Sequence, residues 1–405
     1  MHATPSTLPD TGPLAGLKVL ELGQLIAGPF AGKTLGDFGA DVIKVEPPGD
    51  GDPLRLWRLL HQGTSVWWQV QSRNKRSVVL DLRTAEGRAD VAALAAECDV
   101  LIENFKPGTL EKWGLGYDTL AAANPGLIML RISGYGQTGP YRDLPGFAVV
   151  AEAMGGLRHL MGEPGRPPVR AGVSLGDTLA ALHGVIGVLL ALQARNRSIG
   201  PDAPKGRGQV VDVALYESVF NCMESLLPEY SAFGTVRQPA GSALPGIAPS
   251  NAYRCADGQV VIGGNGDSIF KRLMAAIGRD DLGADPGLAD NAMRAARVDE
   301  LDAAITAWTV QRPVAEVVAV LQAASVPAGR IYTVADIATD PHFLARGMIE
   351  QATTPDGLAL AVPGVVPKLS ATPGSIRRPA PTLGQHSADV LGALARHRGP
   401  GKAPA

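Results

Sequence analysis

The stretch Leu17–Glu46, LKVLELGQLIAGPFAGKTLGDFGADVIKVE, decides the fold. LKVLEL reads as a short apolar strand, Gly28–Gly36 as a helix, and ADVIKVE as a second strand ending at Glu46. SVVLDL, DVLIENF and LIMLRIS repeat the strand signal, with helical stretches around Glu86–Ala96, Thr109–Trp113 and Thr119–Ala123 between them. Strands separated by helices of this length pair as parallel neighbours through right-handed crossovers. The expected architecture is therefore α/β, a doubly wound parallel-sheet large domain with a smaller α+β domain.

In such sheets ligands bind beyond the carboxyl ends of the strands. The loops of interest are Gly23–Pro29, Pro47–Leu54, Asn104–Gly108 and Ser133–Pro140. Gly23, Gly28 and Gly32 are spaced five and four apart, which is not the G-x-G-x-x-G of a dinucleotide turn, so a nicotinamide cofactor is disfavoured. Glu46 reads as a solvated strand-end carboxylate. Gly134-Tyr-Gly-Gln-Thr-Gly-Pro140 follows a strand and is either an anion cradle or an ordinary turn. Gly263-Gly-Asn-Gly-Asp267 precedes a helix, with Asp267 or Ser268 as its cap, and turn geometry accounts for it.

A second stretch carries the chemistry. VSLGDTLAALHGVIGVLLALQAR, from Val173 to Arg195, is a turn, one carboxylate and a nearly uncharged helix. Ser174 is placed to cap that helix, and Asp177 falls in its first turn. The helix dipole favours an anion there by about 0.3–1 kcal/mol, so the carboxylate stays ionised and is available as a nucleophile. On this stretch alone a plain capping role is the commoner explanation, since acidic first turns are routine. The run approaches transmembrane length, but His183, the small residues and the cap favour a buried core helix.

Further on, KGRGQVVDVALYESVFNCMESLL gives a strand and a helix, and SNAYRCADGQVVIGG gives a hairpin turning at Asp257-Gly258. Helices are expected near Ser268–Ile277, Val298–Val310 and Val314–Ala324, another ending near Arg346, then a hairpin in MIEQATTPDGLALAV and a helix at Ser387–His397. The expected division is a large domain over 14–227, a linker over 228–249, a small α+β domain over 250–332, and a return segment and tail over 333–405 that packs on the large domain.

Composition bounds the function. With 405 residues, 45% hydrophobic and 19% charged, the chain can bury a sizeable core and does not read as disordered. A net charge of −2 gives no pull towards nucleic acid or acidic membranes. Cys98, Cys222 and Cys255 match no metal or redox spacing and read as core filler in a reducing compartment. The N-terminal stretch lacks the pattern of a signal peptide. A cytoplasmic protein without nucleic-acid or membrane partners is expected.

The motifs GQLIAGPFAGKTLGDFGADVIKVEPPGDGDPLR, NKRSVVLDL, DVLIENFKPGTLEKWGLGYDTL, ISGYGQTGP, VSLGDT, KGRGQVVDVALYES and PSNAYRCADG occur in this order. In this the chain resembles the family III CoA-transferases, a group that also holds formyl-CoA transferases, carnitine CoA-transferases and α-methylacyl-CoA racemases. The resemblance runs from Leu17 to about His386. It implies that Asp177 is the carboxylate that attacks an acyl-CoA thioester, with coenzyme A as substrate and no permanently bound cofactor or metal. It further implies a CoA-binding role for Ile26, Ala27, Leu80, Asp81, Leu82, Arg83, Asn104, Phe105, Lys106, Ser133, Gly134, Tyr135 and Gly136. Lys112 stands where the family often has an arginine near the CoA phosphates, and Pro47 stands where some members carry a basic residue. Gly263, Gly264, Asn265 and Gly266 match the glycine loop that closes over the nucleophile. Interlocked-ring homodimers are the family's assembly, and a homodimer is implied here by resemblance alone.

Within that group the racemase branch carries a histidine after a glycine in the segment following GQTGP. Here the segment is Leu144-Pro-Gly146-Phe147-Ala148-Val149, so Phe147 replaces the base and transfer is preferred to racemisation. His159 is the nearest histidine. Arg166 or Arg170, in the loop before Asp177, could hold the second carboxylate of a dicarboxylic acid. The run VVIGGNGDSIFKRLMAAIGR looks closest to succinyl-CoA-dependent transferases acting on malate, citramalate, itaconate or related acids. The expected activity is transfer of CoA from an acyl-CoA, succinyl-CoA for preference, to a small C4–C5 dicarboxylate. A CoA-thioester racemase and a non-catalytic CoA-binding protein are the rival readings.

Overall fold

The computed structural model of the chain describes residues 12–197 and 206–398. Lys205 of the KGRGQ motif and residues 399–405 of the expected tail lie outside them. The described chain falls into two compact units. One holds the residues up to Leu157, Ala171–Met223 and Leu344 onward; the other holds Arg158–Arg170 and Glu224–Phe343.

The first unit is built on six parallel strands: β1 (Lys18–Glu21), β2 (Asp41–Glu46), β3 (Lys75–Val79), β4 (Val100–Glu103), β5 (Ile128–Ser133) and β6 (Val210–Ala214). Their spatial order is β3-β2-β1-β4-β5-β6, and every pairing is parallel. This is the order of doubly wound nucleotide-binding sheets, in which the direction of winding reverses between β1 and β4.

Alternation along the strands supplies two cores. Val19, Val42, Val100, Ile102 and Leu130 face the helices Ala27–Asp37 and Leu175–Asn196. Leu20, Ile43, Leu101 and Met129 face the opposite layer, to which the helices Ala85–Ala96, Tyr117–Ala123 and Ser387–Arg398 contribute Val91, Leu120 and Leu394. Each such aliphatic side chain contributes roughly 1.5–3 kcal/mol when fully buried.

The long helix Leu175–Asn196 is long and apolar enough to cross a membrane. It packs against the sheet through Ala180, Ala181, Gly184, Val185, Val188 and Ala191, all buried. Its other side leaves Leu182, Ile186, Leu189 and Leu190 exposed, the last two at 41% and 65%.

β3 lies at the edge of the sheet, where unpaired backbone groups invite non-native pairing. The C-terminal segment covers it. Asn74 N donates to Arg378 O at 3.1 Å, His386 N donates to Ser77 O at 2.9 Å, and Val79 N donates to Ser387 Oγ at 3.0 Å.

The second unit has its own core, including Tyr253, Val260, Ile262, Phe270, Leu273 and Leu301. It contains an antiparallel sheet of β7 (Ser250–Arg254), β8 (Gln259–Gly263) and β9 (Ala328–Arg330), with β8 central. The stretch expected to be a linker over 228–249 begins inside a helix, Leu226–Phe233, and clusters with this unit. The Gly, Pro and Ser content after Phe233 masked the short helix before it.

Candidate active site

The reversal point between β1 and β4 is held by a reciprocal clasp. Gln24 N donates to Asn104 Oδ1 at 2.8 Å, and Asn104 Nδ2 donates to Gln24 O at 2.9 Å. Glycine is required beside it, because a Cβ on Gly28 would meet the Gly23 Cα at 3.0 Å. Leu25 takes a positive φ of 63° there, and its N–H donates to Asp52 Oδ1 at 3.1 Å. The Ile26 carbonyl accepts from Gln71 Nε2 at 2.9 Å and Phe30 N at 2.7 Å. Ile26, Ala27 and Asn104 thus come together at the carboxyl end of the sheet.

Beneath this loop lies a fully buried ionic layer. Lys44 Nζ contacts Asp52 Oδ2 at 2.8 Å and Glu21 Oε1 at 3.3 Å, and donates to the Gly23 carbonyl. Lys75 Nζ lies 2.8 Å from Glu21 Oε2 and donates to Pro29 O at 2.7 Å. Burial disfavours the Lys44 ammonium, but Asp52 and Glu21 outweigh it and its pKa is raised. Lys75 shares its carboxylate with Lys44, and burial lowers its pKa to about 8. Glu46 corrects an expectation: it is fully buried, not solvated. Arg55 donates to both its oxygens, at 2.7 and 2.8 Å, and Ser77 Oγ donates to it at 2.6 Å. Burial raises the Glu46 pKa, but Arg55 overcomes this and holds it below the usual range. Every charge in this layer has an opposite partner, and removing one would leave another buried and uncompensated, typically at a cost of about 3–5 kcal/mol.

The other strand exits are also ordered. After β3, Leu80 is buried, and Arg83 donates to Asp81 Oδ1 and Oδ2 at 2.8 Å, lowering the Asp81 pKa to about 2. The Leu82 carbonyl accepts from Arg88 at 3.2 Å. After β4, Phe105 packs edge-on against Trp113, with centroids 5.4 Å apart. Lys106 and Lys112 are exposed and make no ion pair among the described residues. After β5, Gly136 N donates to Ser133 Oγ at 3.0 Å, and Tyr135 lies between Tyr141 and Tyr216. A Cβ on Gly134 would meet Gly146 Cα at 3.0 Å, which brings the segment carrying Phe147 alongside this turn. Phe147 itself is 69% exposed at the start of the helix Ala148–Met154.

Asp177 sits in the first turn of Leu175–Asn196, partly buried. Ser174 occupies the N-cap position but makes no side-chain cap hydrogen bond, contrary to expectation. The buried Glu152 serves the helix start instead, accepting from Gly176 N at 3.3 Å. Ser174 and Thr178, on either side of Asp177 and one turn apart, line a cleft of about 530 Å³. Ile26, Phe30, Trp67, Val173 and Leu360 make its walls largely apolar, and Arg58 is the one charged lining residue among those described. Arg58, Trp67, Gln71 and Glu152 were missed from sequence; an arginine among tryptophans in LWRLLHQGTSVWW was the available signal.

In the second unit, Gly263 N donates to Pro327 O at 2.9 Å and Gly264 N to Pro249 O at 2.8 Å. Those two amides are therefore engaged, whereas the Asn265 and Gly266 amides make no hydrogen bond among the described residues. The fully buried Arg294 anchors the loop, donating to Asn265 O and to Asp267 Oδ1, each at 2.7 Å. His159, Arg166 and Arg170 belong to this unit. Cys98 and Cys255 are buried as expected, the former with its pKa pushed up by burial to about 12, but Cys222 is exposed. No cluster of three metal-ligating side chains occurs among the described residues.

Residues 14–387 match the profile of CoA-transferase family III. The chain belongs to CoA-transferase family III. Among family relatives, it is 50% identical over 381 residues to the succinyl-CoA–D-citramalate CoA-transferase of Chloroflexus aurantiacus, covering 94% of this chain and 93% of that one. It is 44% identical to the beta subunit of the succinyl-CoA–L-malate CoA-transferase of the same organism, covering 96% and 95%. The crystal structure of a CAIB/BAIF family protein from Brucella suis superposes with a TM-score of 0.81 at 38% identity, covering 95% of this chain and all of that one. CoA-transferases of this family use CoA thioesters as substrates.

Proposed function

We propose that the protein transfers CoA from succinyl-CoA to a small dicarboxylate of the malate or citramalate type, in the cytoplasm, through a covalent intermediate on Asp177. The observation that carries this is the ionisable side chain at the start of a long helix whose first turn borders a cleft of about 530 Å³. The helix dipole keeps such a carboxylate charged and nucleophilic.

In this scheme an Asp177 oxygen attacks the donor thioester carbon, the C–S bond breaks, and CoA leaves as thiolate with an acyl–aspartyl anhydride formed. The thiolate attacks the aspartyl carbonyl, forming a C–S bond and releasing the donor acid as carboxylate. The acceptor carboxylate then expels the thiolate from the aspartyl thioester, giving a second anhydride. Thiolate attack on the acceptor carbonyl yields the new acyl-CoA and restores the Asp177 carboxylate. Charge and atoms balance with no net proton transfer.

The Ile26–Ala27 turn, Asn104 with Phe105, Ser133–Gly136 and Leu80–Arg83 form the CoA-contacting rim in this reading. Lys106 and Lys112, exposed and without an ion pair among the described residues, have the charge that CoA phosphates require. In the glycine loop, the Asn265 and Gly266 amides make no hydrogen bond among the described residues and are open to an oxyanion, whereas those of Gly263 and Gly264 are engaged. One such donor is typically worth 100- to 1000-fold in rate. The exposed apolar stripe Leu182, Ile186, Leu189 and Leu190 supports a homodimer.

The test is purified protein with succinyl-CoA and a panel of C4–C6 diacids, with acyl-CoA products followed by mass spectrometry, and hydroxylamine trapping of the acylated enzyme. Transfer, a trapped adduct at Asp177, and loss of at least about 1000-fold in Asp177→Asn are expected. Undiminished turnover in Asp177→Asn, or no transfer to any diacid, overturns the proposal.

A further inference from the structure

The cleft lined by Ser174 and Thr178 is apolar along most of its wall, yet among the described residues one guanidinium, that of Arg58, borders it. Arg58 is held there in a specific way. Its backbone adopts a left-handed φ of 61°, a conformation that costs a non-glycine residue about 1 kcal/mol or more and persists where the surroundings enforce it. Its guanidinium carbon lies 4.6 Å from the centroid of Trp67, within cation–π range of the indole. No carboxylate pairs with it among the described residues. Arg55, three residues earlier, is by contrast fully engaged by Glu46.

A planar fork of donors with no carboxylate partner among the described residues, exposed at the edge of an apolar cleft, matches a bidentate carboxylate. The same cleft is lined by Ser174 and Thr178, which flank Asp177 in the first turn of the helix. One carboxyl group of a short diacid reacts at Asp177, which leaves the far one needing a cation. We infer that Arg58 is a specificity-determining residue that binds the distal carboxylate of the dicarboxylic substrate, with Trp67 holding the guanidinium in place. This inference rests on the transfer reaction proposed above. It departs from the sequence expectation, which gave that role to Arg166 or Arg170.

The experiment measures kcat/KM for a C4–C5 diacid and for the straight-chain monoacid of equal length, in the wild-type protein, Arg58→Met and Arg58→Lys. Thermal melts of all three accompany the kinetics. Arg58→Met is expected to lower the diacid-to-monoacid ratio by about 100-fold, chiefly through KM for the diacid, because a hydrogen-bonded charge pair is lost. Arg58→Lys is expected to recover part of that ratio, and the affinity for free CoA should stay within about twofold. An unchanged ratio in a folded Arg58→Met, with wild-type transfer to diacids intact, overturns the Arg58 assignment and leaves the transfer reaction standing. So does an equal loss on both acids together with weakened CoA binding, which places Arg58 on the CoA. A loss of ratio in Arg166→Met or Arg170→Met but not in Arg58→Met also overturns it. Wild-type protein that uses no diacid overturns both readings together.

Discussion

Asn104 and Gln24 satisfy each other's hydrogen-bonding groups across the gap between two strand exits, at 2.8 and 2.9 Å. The side-chain amide of Asn104 acts as a piece of backbone would, closing a pseudo-ladder where the sheet itself has diverged. The turn that begins the Ala27–Asp37 helix depends on it for position.

Replacing Asn104 with alanine leaves the Gln24 N–H and carbonyl without partners, which typically costs about 1–3 kcal/mol for each buried group. Asn104→Ala is expected to lower the urea midpoint and to weaken CoA binding by about tenfold, read by isothermal titration calorimetry. Unaltered CoA affinity in a folded Asn104→Ala would remove the clasp from the binding surface.

Gly32 offers a sharper steric test. A Cβ there would lie 1.8 Å from Glu21 Oε2, and that carboxylate is fully buried between Lys44 and Lys75 and has nowhere to move. Gly32→Ala is expected to destabilise by about 3 kcal/mol through overpacking and disturbance of the buried ions, measured by chemical denaturation. Gly329→Ala, where a Cβ meets nothing within 4 Å, should stay within about 0.5 kcal/mol.

His386 predicts a pH dependence. Burial lowers its pKa, with Arg76 and Arg378 adding to the effect, and its Nδ1 accepts from Ser77 N at 3.2 Å. The folded protein therefore favours the neutral ring, and protons are taken up on unfolding once the pH falls below the unfolded value near 6.5. Stability should decline as pH drops from about 6.5 towards the folded pKa. The decline should be shallower in His386→Asn, by thermal melts across that range. Identical slopes would exclude His386 as the source.

The stripe on the far side of the Asp177 helix gives a prediction on assembly. Ile186→Glu with Leu190→Glu is expected to convert a dimer to a monomer in light scattering, because two charges cannot be buried in an apolar contact. A wild-type protein that elutes as a monomer at micromolar concentration would dismiss the dimer.

Most of the architecture was legible because burial on both faces imposes apolar runs such as LIMLRIS, and crossover helices impose the spacing between them. The place of Asp177 in the first helical turn was legible because it stands as the one carboxylate at the head of an apolar helix. The ionic layer was hidden for a physical reason: Lys44, Glu46 and Lys75 in strands look like solvated positions until the partners that neutralise them are brought together by the fold. Glu152 was hidden similarly, since a cap supplied from another helix leaves no local signature, whereas a serine at the N-cap invites the wrong assignment. Arg58 lies in an irregular stretch with neither period, so only the cleft reveals its place.

The cover on β3 bears on how the protein is made. Among the described residues, the strand's outer backbone finds its partners within residues 378–387, later in the chain than the whole second unit. A polypeptide emerging N-terminus first exposes that strand throughout synthesis, with the whole second unit still to come. The nascent chain therefore passes through a stage with an unguarded border open to mispairing, and a truncation that removes the last thirty or so residues would make that stage permanent.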